Sequence, residues 1–321
     1  MTTLERALGS LARRDGDRLV ASPSSERELA QLFAVLIDQR AVLQRDVTLD
    51  RSKLNRLGPV DDRSMTIEAG AGGSVRDVEA QANAHRLTLG SLAPSAWNLS
   101  VGELLEHPAH AFRPIVPGRL EPLSARLVAV LADGHVITSA PGPRHAAGPD
   151  LVSLVIGAGG SVGLVTHATL RLSLRHDTEV RRSYSFETHA DAIEALREAL
   201  SAGAAPGRVV LRARAGRIVV EVSSRGSPAF VDREAGLIGR CVEAGRGRFE
   251  GAGREAEVDG VEAEVTWDDV ASALADGAAV ELFRLSLMTV LARGVPASPL
   301  APTDSRLSTL LDPSSILPKA P

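Results

Sequence analysis

An α+β fold in two lobes is predicted by the order in which extended and helical patterns follow one another along the 321 residues. The first half reads strand, helix, hairpin, glycine-rich turn and strand, without the repeated strand–helix–strand units of a parallel sheet. After Arg175 the order becomes strand, helix, hairpin and helix, which is typical of a ferredoxin-like unit. We therefore expect a first domain over residues 1–175, a second over 176–295 and a tail over 296–321.

In the first lobe, capping residues mark the start of each predicted helix. Ser25 caps a helix expected over 25–40, whose apolar residues recur on one face. Ser74 caps a shorter helix that is expected to end near Arg86. The Asp133-Gly134 pair between two apolar runs predicts a hairpin. The extended segments of this lobe are expected at 42–49, 65–69, 125–132 and 135–139.

The second lobe contains a hairpin signal at Ala215-Gly216 and a helix start at Ser227-Pro228. Its strands are expected at 181–186, 208–222 and 279–287, and its helices at 188–202, 227–244 and 267–275. The polar, glycine-rich stretch 245–260 is expected to be a loop, and 296–302 a linker.

A glycine-rich turn at 157–163 follows the apolar run 151–156 and has nearly the spacing of a Rossmann dinucleotide-binding turn. A Rossmann turn must open a helix, because the pyrophosphate lies at the helix N-terminus. Here the residues from Leu164 to Leu174 alternate as a strand does. A dehydrogenase that uses NAD is therefore disfavoured. An ordinary tight turn without a binding role is the alternative explanation of these glycines.

Composition excludes several classes of protein. The chain is 44% hydrophobic and 24% charged, with a net charge of -4 and no apolar run as long as the ~18 residues of a membrane span. The charges form no basic stripe, so nucleic acid is not an expected partner. The N-terminal residues contain no apolar signal core, and the single cysteine, Cys241, fits a reducing compartment such as the cytoplasm.

Three stretches resemble a known family. GPDL from Gly148 with IGAGGSVGLVTHATLRL from Ile156, TIEAGAGGSVRDVEAQANAHRLTL from Thr66, and LLDPSSILPKAP from Leu310 are similar to the FAD-linked oxidases with the PCMH-type (vanillyl-alcohol-oxidase-type) fold. The greatest likeness is to the FAD-binding accessory subunit of bacterial glycolate oxidase. The resemblance implies an FAD-binding domain, a cap domain and a tail that returns to the first domain.

The resemblance also locates the expected flavin contacts, and it shows where this sequence departs from them. The family holds the FAD pyrophosphate with a glycine-rich loop, but only four residues without glycine lie between Val42 and Val47, and one of them is Asp46. Beside the flavin ring the family's T-I-G-G motif reads Ser100-Val101-Gly102-Glu103, so Glu103 replaces a glycine. We therefore expect an eroded flavin site and weak or absent FAD binding. The remaining cofactor contacts would come from Ser100, Gly102, Gly157, Gly160, Ser161, Gly163 and Val165.

No set of catalytic residues is evident to compensate. His107 and His110 lie three apart, but Pro108 between them and the lack of a nearby cysteine or acidic cluster argue against a metal site. Tyr184, the only tyrosine, is expected in the core of the second lobe, and Cys241 has the pattern of a buried apolar residue. The catalytic residues stay unknown and no metal is expected.

Two functions are compatible with these patterns. One is a flavoprotein-family subunit with little independent catalysis that works beside a larger flavin oxidase subunit. The other is a pseudo-oxidase that serves as a protein-binding or scaffolding subunit. In either case other chains must carry electrons, because one cysteine cannot supply the four thiolates of an iron–sulfur cluster.

Overall fold

The computed structural model describes residues 3–90, 92–107, 110–116, 119–139, 154–176, 178–253, 262–285, 289–296 and 312–317, and the single residues 258, 260 and 287. The GPDL stretch at 148–151 and most of the expected linker 296–302 lie outside the described residues.

Among its described residues, the first domain contains short strands, four α-helices and two short 3-10 helices. Its strands are β1 (Ala12–Asp15), β2 (Arg18–Ala21), β3 (Thr48–Leu49), β4 (Leu57–Asp61), β5 (Thr66–Gly70), β6 (Leu87–Thr88), β7 (Phe112–Val116), β8 (Arg119–Pro122), β9 (Ser124–Leu131), β10 (Val136–Thr138), β11 (Gly163–Arg171) and β12 (Ser173–Leu174). Its helices are α1 (Thr3–Leu8), α2 (Glu26–Gln39), α3 (Val75–Ala84) and α4 (Val101–Glu106).

Longer elements make up the second domain. Its strands are β13 (Thr178–Phe186), β14 (Arg208–Arg214), β15 (Arg217–Gly226), β16 (Arg248–Ala252), β17 (Glu262–Thr266), β18 (Val280–Leu285) and β19 (Thr289–Arg293). Its helices are α5 (His189–Ser201), α6 (Pro228–Ala244) and α7 (Trp267–Ala275).

The main sheet of the first domain has the order β10-β9-β11-β5-β4, and all its pairs are antiparallel. The strand after the glycine-rich turn, β11, lies at the centre of this sheet. The turn therefore opens a strand rather than a helix, as the alternation predicts, and the Rossmann geometry is absent here. The apolar face of the sheet packs with α3 and α4 on a core that includes Ile67, Val78, Leu105 and Val165.

A smaller sheet, β1-β2-β3, packs with α1 and α2 around Phe33. Ser25 caps α2 by accepting a hydrogen bond from the Glu28 N–H, as expected. Ile316 and Leu317 of the tail join the same apolar cluster. The strand expected at 42–49 shrinks to β3, because residues 42–47 form a closed turn instead.

In the described part of the second domain, seven strands form one sheet of order β16-β13-β15-β14-β18-β19-β17. Its first four strands have the spatial order of a ferredoxin-like unit, so the predicted fold class is confirmed. The prediction of a loop over 245–260 is wrong in part, because this stretch contains β16. This strand lies at the sheet edge with exposed residues such as Phe249, so it lacks the alternation that marks a half-buried strand. Strands β17 and β19 were also not predicted.

Helices α5, α6 and α7 cover one face of this sheet and enclose the core of the second domain. Tyr184 is buried there, and desolvation raises the pKa of its hydroxyl. Cys241 packs against the same core from α6, half-buried. The opposite face of the sheet faces the first domain, where Ala93 packs with Phe283 and Leu291. Among the described helices, none is long and apolar enough to cross a membrane.

Candidate cofactor cleft

The turn at residues 42–47 lies where the resemblance predicts the pyrophosphate loop, and four of its backbone N–H groups bond within the protein. Val42 N donates to the Asp46 carboxylate at 2.7 Å, Gln44 N to Val47 O at 2.7 Å, and Asp46 N to Val42 O at 2.9 Å. Leu43 N donates to Ile316 O of the tail at 2.7 Å. These donors point into the turn or at the tail, so they cannot cradle a phosphate.

Asp46 closes this turn instead of facing a ligand. Its carboxylate accepts hydrogen bonds from Arg45 and from Val42 N. Both bonds lower the pKa of the carboxyl group, and the bond from Arg45 has the larger effect. Arg45 is solvent-exposed. Its positive charge is therefore paired with the Asp46 carboxylate at the protein surface.

The glycines at the end of β5 and just after it accommodate the protein's own chain. A Cβ on Gly70 would overlap Leu54 O, and one on Gly72 would overlap Arg51 O. The contact is also hydrogen-bonded, because Gly70 N donates to Arg56 O at 2.8 Å and Gly72 N to Leu54 O at 2.9 Å. The close approach that glycine permits here is thus filled by segment 51–56.

Helix α4 carries the Ser100-to-Glu103 motif, and its geometry corrects the expected place of Glu103. Ser100 Oγ accepts from Glu103 N at 3.3 Å, and Glu103 Oε2 accepts from Ser100 N at 2.8 Å. The two residues form a capping box at the exposed start of the helix. Glu103 therefore stabilises a helix end and is not buried beside a ring.

Gly102 lies one residue further along α4 and faces the protein interior. Its N–H donates to Ala71 O at 2.8 Å. A Cβ at this position would overlap the Arg51 guanidinium and lie 3.0 Å from Ala71 Cβ. The space in front of Gly102 is therefore filled by Arg51.

Arg51 and Glu106 form a buried bidentate ion pair, which we call the Arg51–Glu106 cluster. Arg51 Nη1 donates to Glu106 Oε1 at 2.7 Å and Nη2 donates to Oε2 at 2.8 Å. The two side chains are 15% and 7% exposed. Burial alone would lower the pKa of the Arg51 guanidinium, but the Glu106 carboxylate outweighs it and the pKa is raised above the ordinary value. The cluster is a fixed pair of opposite charges.

A backbone group from the central strand completes the cluster. Val165 N donates to Glu106 Oε1 at 2.8 Å. The register between β11 and β9 shifts between Val165 and His167, and such an irregularity releases a backbone group from the ladder. The Glu106 carboxylate thus links α4 to the centre of the main sheet.

The glycine-rich turn packs onto the end of α4. Gly157 N donates to Leu105 O at 2.9 Å and Gly159 N to Glu106 O at 2.8 Å, so the turn satisfies carbonyls that the helix leaves unpaired. Gly157 and Gly160 have φ of 76° and 75°, which favours glycine. The turn's glycines therefore have a structural use that needs no ligand.

The remaining predicted cofactor contacts are also engaged within the chain. Ser161 Oγ donates to Ala158 O at 2.6 Å, and a Cβ on Gly163 would lie 2.8 Å from Val130 O. The structure brings Gly102, Gly160 and Val165 together around the Arg51–Glu106 cluster, whereas Ser100 caps α4. Their role in holding FAD stays a prediction.

Sequence reasoning missed the two residues at the centre of this site. Arg51 lies just beyond the strand expected at 42–49, and Glu106 lies three residues after Glu103, where no site residue was expected. No local signal in the sequence marks either residue. The two residues are 55 positions apart, so the pairing could not be found without the fold.

The histidines do not form a metal site among the described residues, where no group of three suitable ligands converges. The rings of His107 and His110 stack with centroids 4.6 Å apart. His110 Nε2 lies 3.0 Å from Ser95 Oγ, and Ser95 also contacts the Glu262 carboxylate of the second domain. These residues join the two domains.

Comparison with known proteins agrees with this architecture. Residues 19–140 match the FAD binding domain family. This match supports the similarity to FAD-linked oxidases. An uncharacterised FAD-linked oxidoreductase of Escherichia coli, YgcU, is 27% identical over 166 residues, which are 51% of this chain and 34% of that protein. The alkyldihydroxyacetonephosphate synthase of Caenorhabditis elegans is 24% identical over 161 residues, 50% of this chain and 26% of the other.

Solved structures show the same fold. An alkyldihydroxyacetonephosphate synthase aligns with a TM-score of 0.66 and 14% identity over 93% of this chain and 76% of its own. A p-cresol methylhydroxylase aligns with a TM-score of 0.61 and 13% identity over 92% and 78%. The region matched in the two curated relatives spans about a third or less of their length. The family comparisons support FAD as the cofactor.

The described residues do not fit FAD in this arrangement. The backbone donors of the 42–47 turn are used, and the space against Gly72 and Gly102 holds Arg51. The family's cofactor and the geometry of this chain therefore disagree.

Proposed function

We propose that this chain is an FAD-linked-oxidase-family subunit with an eroded flavin site and little or no independent catalysis. In this proposal it resembles the FAD-binding accessory subunit of glycolate oxidase and works beside a larger flavin oxidase subunit. The observation that carries the proposal is the Arg51–Glu106 cluster, which fills the space beside Gly102 with the chain's own charges.

The energetics of the cluster support a closed cleft. A ligand that enters must separate a bidentate buried pair and leave the Val165 N–H without its acceptor. Removing one partner of a buried pair typically costs about 3–5 kcal/mol. The turn at 42–47 offers no compensating phosphate contacts, so the net binding energy of FAD is expected to be small.

The test is flavin retention. The purified protein is incubated with excess FAD, passed through a desalting column and examined for flavin absorption in the visible range. We expect none to be retained. Tight stoichiometric binding would contradict the proposal and restore the interpretation as an independent flavoenzyme.

A double variant, Arg51→Leu with Glu106→Ala, identifies the cause. Flavin retained by this variant alone assigns the block to the cluster, whereas flavin retained by neither protein assigns it to the shortened turn at 42–47. Arg217→Gln is the matched control, because Arg217 pairs with Glu187 in an exposed ion pair of the second domain.

The partner is part of the proposal. Phe249 is 62% exposed on β16, which lies at the edge of the second-domain sheet, and an exposed aromatic on a sheet edge is suited to contact another protein. Affinity capture of the native chain followed by mass spectrometry should recover a larger flavin oxidase subunit. Recovery only as a free monomer with oxidase activity of its own would contradict this.

A scaffolding pseudo-oxidase is the alternative function. It predicts a partner whose oxidase activity is unchanged when this chain is removed, whereas an accessory subunit predicts loss of that activity. Both proposals place the chain in a reducing compartment such as the cytoplasm, because it has a single cysteine.

A further inference from the structure

Strand β16 (Arg248–Ala252) forms one edge of the second-domain sheet. In the described part of that sheet it pairs with β13 alone, so its other side faces no strand of the same chain. Arg248, Glu250 and Ala252 are exposed, and Phe249 is 62% exposed. A strand edge of this kind offers backbone donors and acceptors with which another strand can pair.

The side chains of β16 divide between the two faces of the sheet. Phe249 lies opposite Tyr184 of β13, with the ring centroids 5.7 Å apart, on the face that the helices cover. Arg248 lies opposite Ser185, and the Ser185 hydroxyl donates to the Glu250 carboxylate. Tyr184 and Ser185 are neighbours in a strand, so their side chains point to opposite faces. Arg248 and Glu250 therefore share the other face of the edge.

The order of these charges is matched by a second copy of the same edge. When two copies lie antiparallel with their Phe249 residues opposite each other, Arg248 of each copy lies opposite Glu250 of the other. Opposite charges and aromatic side chains that face each other across two strands both stabilise the pair. The arrangement has a two-fold axis, which closes the assembly at two chains.

Other alignments of the two edges lose this match. A parallel copy aligns Arg248 with Arg248 and Glu250 with Glu250. An antiparallel copy shifted by one residue puts charged side chains opposite aromatic ones, and a shift of two puts either Arg248 or Glu250 opposite itself. Like charges directly opposite each other are destabilising. Charge complementarity therefore favours one occupant of the edge and one register.

A bulge limits the length of this contact. The register of β13 with β16 shifts between Ser183 and Tyr184, so Glu250 is the extra residue on β16. Bulges of this kind bend a strand and are common at sheet edges. The regular part of the contact is short, so we expect a weak and reversible association.

We propose that two copies of this chain associate through antiparallel pairing of their β16 edges, centred on Phe249. The second-domain sheet then continues from one chain into the other. The proposed function offers the same edge to a larger flavin oxidase subunit, so the two uses of the edge exclude each other. That consequence rests on the proposed function, whereas the self-association does not.

Sedimentation velocity of the purified protein over a wide concentration series tests the self-association. We expect a reversible equilibrium between monomer and dimer. Arg248→Glu and Glu250→Arg should each weaken dimerisation by about tenfold or more, because each turns both opposite-charge pairs into like-charge pairs. Both side chains are exposed, so neither change should impair folding. Arg217→Glu is the control, because it reverses a charge of an exposed ion pair away from this edge.

An equimolar mixture of the two variants gives a more specific test. The edge of Arg248→Glu carries two carboxylates and the edge of Glu250→Arg carries two guanidinium groups. Each variant should therefore fail to pair with itself but pair with the other, so the mixture should form dimers again. A wild type that is monomeric at every concentration, single variants that dimerise as the wild type does, or a mixture that stays monomeric would each overturn the inference.

Flavin retention and partner capture with the same protein separate this inference from the proposed function. A protein that stays monomeric and recovers a larger flavin oxidase subunit defeats the inference and leaves the proposed function standing. A protein that dimerises through β16 and retains stoichiometric FAD supports the inference and contradicts the proposed function.

Discussion

The cofactor cleft and the interface between the two domains both contain paired arginine and glutamate, yet the pairs differ in burial. In the cleft Arg51 meets Glu106 through two hydrogen bonds, and the two side chains are 15% and 7% exposed. At the interface Glu179 accepts a hydrogen bond from Arg225, whose side chain is 56% exposed. A buried bidentate pair fixes the two segments that it joins, whereas a pair in contact with water contributes little to stability.

The same comparison explains where stability is expected to reside. Substitutions in the cleft should change the free energy of unfolding strongly. Substitutions of the exposed pairs at the domain interface should change it little. The predictions below follow that order, from the largest effect to the smallest.

Glu106→Ala should lower the free energy of unfolding of the first domain by about 3 kcal/mol, because it leaves the Arg51 charge and the Val165 N–H without an acceptor. Urea denaturation measures the loss. Arg51→Leu combined with Glu106→Ala should lose less than Glu106→Ala alone, because no charge is left uncompensated. Glu187→Ala, in an exposed pair with Arg217, is the control and should change stability by less than about 1 kcal/mol. A loss no larger than that of the control would mean that the cluster does not hold the cleft closed.

Gly72→Ala should destabilise the protein by about 2 kcal/mol, because its Cβ would overlap the backbone oxygen of Arg51 and force segment 51–56 away. Gly239→Ala is the matched control: this glycine lies in α6 with no atom within 4 Å of an added Cβ. That control should stabilise the protein by about 0.5–1 kcal/mol through helix propensity. Equal stability of the two variants would show that segment 51–56 does not pack tightly on the glycines.

Arg225→Gln should change the free energy of unfolding by less than about 1 kcal/mol, since its ion pair with Glu179 is largely exposed. Thermal denaturation measures the change. A large loss of stability would break the comparison, because the exposed pair would then be structural in the way that the buried pair is.

Cys241 provides a readout that lies outside both regions. Burial, followed by the Glu198 charge, raises the pKa of its thiol, so less thiolate is present at neutral pH and alkylation by iodoacetamide should be several times slower than in the unfolded chain. The rate should be the same in Glu106→Ala as in the wild type, because the change lies in the other domain. Faster labelling in that variant would mean that the two domains unfold together.

The sequence by itself determined the two-lobed α+β order, the capped helices, the hairpins and the strand after the glycine-rich turn. These features depend on local signals: Ser25, Asp133-Gly134, Ser227-Pro228, and the alternation from Leu164. It also located the shortened turn at 42–47, because a missing glycine loop is visible without a structure. The edge strand β16 was not predicted, because a strand at an exposed edge needs no alternation of apolar and polar residues.

Only the tertiary structure decided what occupies the cofactor cleft. Arg51 and Glu106 are 55 positions apart, and nothing local distinguishes a buried bidentate pair from two surface charges. The same is true of Glu103, which looks intrusive in the sequence but caps an exposed helix end. It also holds for the arginines that face the first domain, which lie on four different strands of the second domain. Charge compensation and burial are properties of pairs that the fold brings together, so they are the part that the order of residues alone leaves undetermined.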